Sequence, residues 1–199
     1  MCKKLLVLTS LILLLGSISI AEDIQWTGAG RNKFWSTAAN WDLGRAPTLA
    51  DEVRIDVPAA AAPNGPIIQE GITAQAKGIF TEAAGEPTLT MTGGTLDVAD
   101  WIWWGDGPDS FAIWTMSGGT VTVANEFELG WGGGAGTLTM TGGTINVGEA
   151  VIPTDTGAFG ELFLYGGTYN VTKPGGLEVN ATGLIDITEG TLTLEGDVR

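Results

Sequence analysis

One phrase recurs along this chain, and it constrains the fold more than any other feature. Glycine pairs fall at Gly93-Gly94, Gly118-Gly119, Gly142-Gly143 and Gly166-Gly167, with Glu189-Gly190 in the fifth place. The intervals between them are 25, 24, 24 and 23 residues. The text around them repeats as TLTMTGGTLDV, AIWTMSGGTVTV, TLTMTGGTINV, LFLYGGTYNV and LIDITEGTLTL. A near-constant period of this length is the mark of a solenoid, in which one unit cannot bury its apolar face alone.

Alternation decides which kind of solenoid. Apolar residues stand two and four positions before each corner, as in Leu89 and Met91, Trp114 and Met116, or Leu138 and Met140. They resume after it, as in Leu96 and Val98, Val121 and Val123, or Ile145 and Val147. Period two means strands, and Thr with β-branched residues fills the places between. Further strands follow at Trp101–Trp104, Glu126–Leu129, Ala150–Ile152 and Gly176–Val179. The sequence therefore predicts an all-β parallel β-solenoid of about 24 residues per coil, with five to six coils, right-handed as parallel crossovers are. The rival is an antiparallel sandwich, which has no reason to repeat the same words. Thr95, Thr120, Thr144, Thr168 and Thr191 follow the corners, and parity turns this file outward.

The flanks read differently. Residues 1–21 have a basic start (Lys3, Lys4), an apolar run from Leu5 to Leu15, and small residues at Ser19 and Ala21, the pattern of a cleaved signal peptide. Residues 22–60 form a lead-in with Trp26, Trp35 and Trp41, which predicts a cap over the first coil. The solenoid is then 61–199. Its last coil has no cap before Arg199, so either further chain or a partner is expected at that end.

Composition narrows the role. The net charge is −14, and losing Lys3 and Lys4 with the signal leaves 7 basic residues against 23 acidic, a net charge of −16. Such a balance repels nucleic acid and anionic membrane surfaces. No histidine is present to act as base or metal ligand. The one cysteine, Cys2, leaves with the signal, so the mature chain has no disulfide. After cleavage the chain is expected outside the cytoplasm and not membrane-spanning. Asn170-Val-Thr172 and Asn180-Ala-Thr182 are sequons that matter only in a glycosylating pathway.

The stretch WTGAGRNKFWSTAANWDLGRAPTLADEVRI, residues 26–55, together with the TLTMTGGTLDV-type units, resembles secreted bacterial proteins with autotransporter-associated β-strand repeats. It is similar to the wider group of pectin-lyase-like β-helices and planctomycete-type surface proteins. The resemblance covers most of the mature chain and rests on glycine corners and alternating strands. It implies an extracellular, adhesin-like scaffold and carries no catalytic motif.

Three sets of residues have chemistry worth weighing. Trp101 and Trp103 are expected to face outward, with Ile102 in the core beside Phe127 and Val151. Glu126 and Glu128 would then stand in the same outward columns one coil later, about 5 Å away. Indoles beside carboxylates make a saccharide platform, and carboxylates at i and i+2, about 7 Å apart, suit an inverting glycosidase. The plain alternative is that the tryptophans pack and the glutamates solvate a sheet. Asp100, Asp106 and Asp109 surround a Gly-Pro turn whose oxygens could hold calcium, although the spacing matches no EF-hand. Outward Thr90 and Thr92, Thr115 and Ser117, and Thr139 and Thr141 make a short array of the ice-binding type, interrupted at Phe163 and Tyr165. Polysaccharide lyase chemistry is disfavoured, since only Lys77 and Lys173 are basic between Asn64 and Asp197. The reading that follows is a secreted, non-enzymatic solenoid whose partners are polysaccharides or other surface proteins. Its rival is a carbohydrate-binding or carbohydrate-cleaving β-helix.

Overall fold

A computed structural model describes residues 22–56, 65–174 and 176–195, so the proposed signal and residues 57–60 of the lead-in lie outside it. In chain order the strands are β1 (Asp23–Gln25), β2 (Glu52–Arg54), β3 (Ile67–Ile68), β4 (Thr73–Ala76), β5 (Gly78–Phe80) and β6 (Thr88–Val98). They continue as β7 (Trp101–Asp106), β8 (Phe111–Trp131), β9 (Ala135–Ile152), β10 (Phe159–Val171), β11 (Leu177–Val179), β12 (Gly183–Ile187) and β13 (Thr191–Leu194). One turn of 3₁₀ helix, Ala38–Asn40, interrupts them. Among the described residues no helix is long and apolar enough to cross a membrane.

Every strand pair is parallel, and each pairs with the strand one coil away. The result is a β-solenoid of about six turns with a spacing of about 24 residues. Its rungs fall on three faces. The first face precedes the glycine corner, where Leu89, Trp114 and Leu138 lie in register with Leu162 and Ile185. The second follows the corner, where Thr73, Thr95, Thr120, Thr144, Thr168 and Thr191 form one file. This file lies on the outside, as parity requires, and its inward neighbours Leu96, Val121, Ile145 and Tyr169 are buried. The third face runs from β1 through β2, β5 and β7 to the ends of β8 and β9, and then β11.

The inward side chains of all three faces share one core. Trp114 sits at its centre, 5.5 Å from the Trp104 ring and 5.4 Å from Phe127, with Tyr169 beyond Phe127. The corners turn because the second glycine of each pair takes a positive φ, +92° at Gly119 and +86° at Gly143. Such angles disfavour any residue with a Cβ.

The core differs from expectation at one place. Ala150, not Val151, pairs with Phe127 and is buried, while Val151 pairs with Glu128 on the outer side. Counting nine residues from the corner glycine misplaces it, because this coil is one residue shorter between Val147 and Ala150. The register slips at Val123/Glu126, and Gly148 permits the tight passage: a Cβ there would lie 2.8 Å from the Ala124 carbonyl oxygen.

The lead-in closes the open edges of the first coil. Strands β1 and β2 add two rungs to the third face, and the Trp35 N–H donates to the Ile67 carbonyl at the edge of the first. Trp26, Trp35 and Trp41 are buried edge-to-face, with centroids 5.0 and 4.9 Å from Trp41, and the Trp41 Nε1 donates to the Trp35 carbonyl at 2.7 Å. Arg45 grips buried Asp51 with two hydrogen bonds, at 2.7 and 2.9 Å, and reaches Glu22 at 2.8 Å. Burial alone would raise the Asp51 carboxyl, but hydrogen bonds from Arg45 and Thr48 outweigh it and hold the group down at about 2.

Candidate functional site

The third face carries the aromatic and acidic residues. Pairing sets Trp101 beside Glu126 and Trp103 beside Glu128 on neighbouring rungs, with Ile102 buried between the indoles. The rings do not lie open as a flat platform. Trp101 and Trp103 stack on one another, centroids 4.1 Å apart and 17° from parallel, so each covers one face of the other. Phe80 flanks Trp101 at 6.0 Å, and the Arg54 guanidinium lies over Phe80 at 4.9 Å from its centroid. Arg54 also pairs with Glu82 and, at 3.3 Å, with Asp56. On the other side Trp131 approaches Trp103 at 5.3 Å and keeps 38% of its surface exposed. The text Trp131-Gly132-Gly133-Gly134 reads as a bare bend, but β8 continues up to Trp131 and pairs it with Asp106. Alternation loses its phase at Gly130, so only the structure could orient that indole.

The two glutamates differ. Glu126 is half-buried, whereas Glu128 is 7% exposed, between Trp103 and Val151 on adjoining rungs. Burial pushes the Glu128 carboxyl up to about 7 against an opposing pull from Thr154, and the charges of Glu126 and Asp106 add to the rise. The Thr154 hydroxyl lies near enough to oppose it, yet is itself buried without a well-formed hydrogen bond. Asp106 is also 7% exposed, and its carboxyl rises to about 6, through burial first and then repulsion from Glu82, Asp155 and Asp56. The indole N–H of Trp103 is buried without a partner as well. Carboxyl groups displaced this far are frequent at functional sites, and one protonated near neutrality can donate as well as accept a hydrogen bond.

The displacement has a measurable consequence. The folded chain holds the Glu128 proton more tightly than the unfolded chain, so stability falls as pH rises from about 4.5 to about 7 and stays lowered above that. Glu128→Gln is neutral and nearly isosteric. It should gain up to about 3 kcal/mol over the parent at pH 8 and nothing at pH 4. Thermal melts at the two pH values test this, and an equal shift at both would reject it.

The proposed calcium ligands are not brought together. Asp100 immediately precedes β7 and Asp106 ends it, roughly 20 Å apart at the rise of an extended strand. Asp100 accepts a hydrogen bond from Asn125 at 2.8 Å, and Asp109 is an exposed turn residue with φ +68°. Among the described residues no three acidic, histidine or cysteine side chains converge in a way that could hold a metal ion.

The threonine array on the first face is three rungs long, since Thr90, Thr115 and Thr139 give way to Phe163 in the same file. It is hollowed rather than flat, with a depression of about 140 Å³ among Thr90, Thr115, Ser117, Thr139 and Thr141. On the second face Asn146 accepts a hydrogen bond from the Asn170 amide at 2.9 Å, the carboxamide stacking that the column Asp97, Thr122, Asn146 and Asn170 suggests. The other sequon residue, Asn180, donates its amide to the Pro153 carbonyl at 2.6 Å. No family model, no curated protein and no solved structure matches this chain.

Proposed function

We propose that this chain is a secreted, non-enzymatic structural segment of a cell-surface protein, a rigid adhesin-like rod. The observation that carries this reading is how the outward side chains of the third face are used. Trp101 is stacked on Trp103, Lys77 is bonded to Glu52 at 2.6 Å, and Arg54 is held by Glu82. Each engages a neighbour along or between rungs, which stiffens a rod and leaves few groups free for a ligand. Secretion rests on the signal-like text of residues 1–21, and the surface role on the resemblance to secreted repeat proteins. Antibody labelling of intact cells tests the location.

A second reading, carbohydrate binding, has one observation in its favour. Half-exposed Trp131 lies beside Trp103, close to the raised carboxyls of Glu128 and Asp106. Under the first reading a glycan array gives no retained polysaccharide, and Trp101→Ala/Trp103→Ala changes nothing. Binding that disappears in the double variant would replace the rod with the carbohydrate reading. Any hydrolysis that survives Glu128→Gln would remove the glycosidase form of that reading.

A further inference from the structure

The corner between the second and third faces carries a polar relay across several coils. Asp100, Asn125, Gly148 and Lys173 occupy it in turn. The Asn125 backbone N–H donates to the Asp100 carbonyl at 2.9 Å, and that of Lys173 to the Gly148 carbonyl at 3.0 Å. The side chains make a second line. The Asn125 Nδ2 donates to Asp100 Oδ1 at 2.8 Å, and Lys173 Nζ donates to Asn125 Oδ1 at 3.0 Å.

The Lys173 stem crosses a whole coil, and Gly148 leaves the room for it: a Cβ there would lie 2.9 Å from Lys173 Cε. Like Arg31 and Lys33, Lys173 forms no ion pair among the described residues, whereas Arg45, Arg54 and Lys77 each find a carboxylate. Its amine is aimed instead at a carboxamide whose nitrogen already touches a carboxylate. Nucleophile, acyl carbon and proton carrier are thus neighbours.

We propose that Lys173 and Asn125 join in an intramolecular isopeptide bond, with Asp100 carrying the proton. Nζ gives up its ammonium proton to solvent and attacks Asn125 Cγ, and the carbonyl π pair moves onto Oδ1 as the N–C bond forms. A water molecule carries a proton from the now cationic Nζ to Asp100, which passes it to Nδ2, the atom it already accepts from. The carbonyl re-forms as the Cγ–Nδ2 bond breaks, its electron pair leaving with the nitrogen as ammonia. No oxidant or cofactor is needed. To reach Cγ, Nζ swings from the hydrogen-bonding side of Oδ1, where it now donates, over the face of the carboxamide by rotation about the outer torsions of its stem.

The relay holds the amine, the carboxamide and the carboxylate together in the folded protein, which is where the bond forms. Alkaline pH favours it, because only a neutral amine is a nucleophile. The bond ties the third coil to the fifth across the fourth, in a chain whose described residues contain no cysteine.

The test is intact-mass spectrometry of the full chain after incubation, folded, at pH 9. The expected mass is lower by one ammonia, and digestion at acidic residues yields one peptide joining the segments around Asn125 and Lys173. Lys173→Arg keeps a cation at the site, and Asn125→Ala removes the acyl donor; both retain full mass. Asp100→Ala, with unchanged circular dichroism, forms the bond at least tenfold more slowly. Full mass in the native protein overturns the proposal. So does ammonia loss without a joined peptide, which marks a succinimide, or an equal yield of joined peptide from urea-unfolded chain.

Discussion

Gly119→Ala is expected to lose about 2–5 kcal/mol of stability, and Gly133→Ala only about 1–2, although both glycines hold nearly the same backbone angle. Their φ values are +92° and +87°. An alanine pays the left-handed strain at either position. The surroundings then separate them. A Cβ at Gly119 would sit 2.7 Å from the backbone carbon and oxygen of Gly93 in the coil below, and 2.6 Å from Met91 Cε. The methionine can move, but the Gly93 carbonyl is fixed by the stacking of the coils. At Gly133 a Cβ meets nothing within 4 Å. Guanidinium unfolding of the two variants side by side measures the difference. Equal losses would mean that the corner can open between coils, and that the glycine pairs are needed for conformation alone.

Trp114→Ala should be the most damaging single truncation in the core, at about 3–5 kcal/mol, whereas Trp114→Phe should retain most of the stability. The indole is wholly buried between Trp104 and Phe127, and this aromatic line joins inward side chains of the first and third faces. Alanine leaves a void that stiff neighbouring rungs cannot fill. Phenylalanine keeps most of the contact area and removes a buried indole N–H that has no partner. Because coils interact mainly with their neighbours, the alanine variant should unfold in separate stages. Denaturation followed by tryptophan fluorescence and by far-ultraviolet circular dichroism would then give different midpoints. A loss below about 1 kcal/mol would show that the three faces do not depend on a shared centre.

Much of the candidate site was legible in the text, and the illegible part has a definite cause. Period two placed Trp101, Trp103, Glu126 and Glu128 on one side of one face, because a strand leaves each side chain only two directions. It could not say that the two indoles stack on each other, since χ angles are set by neighbours on adjoining rungs. It also missed Trp131, which lies past the point where alternation loses phase, and the burial of Glu128, whose outward position is covered by side chains of neighbouring rungs. The calcium reading failed for a related reason: Asp100 and Asp106 look close in a glycine-rich stretch, but an extended strand holds them apart.

The amino-acid order by itself determined that this chain winds as parallel coils, where the corners lie and which files point inward. Those properties follow from a period of about two dozen residues and from strict alternation, both local and repeated. The tertiary structure alone decided the one-residue slip that puts Ala150 in the core, the enclosure of Glu128 and the reach of Lys173 across a coil to Asn125. These depend on which coil lies against which, and at what offset. A repeat fixes such an offset only on average, while packing settles it rung by rung.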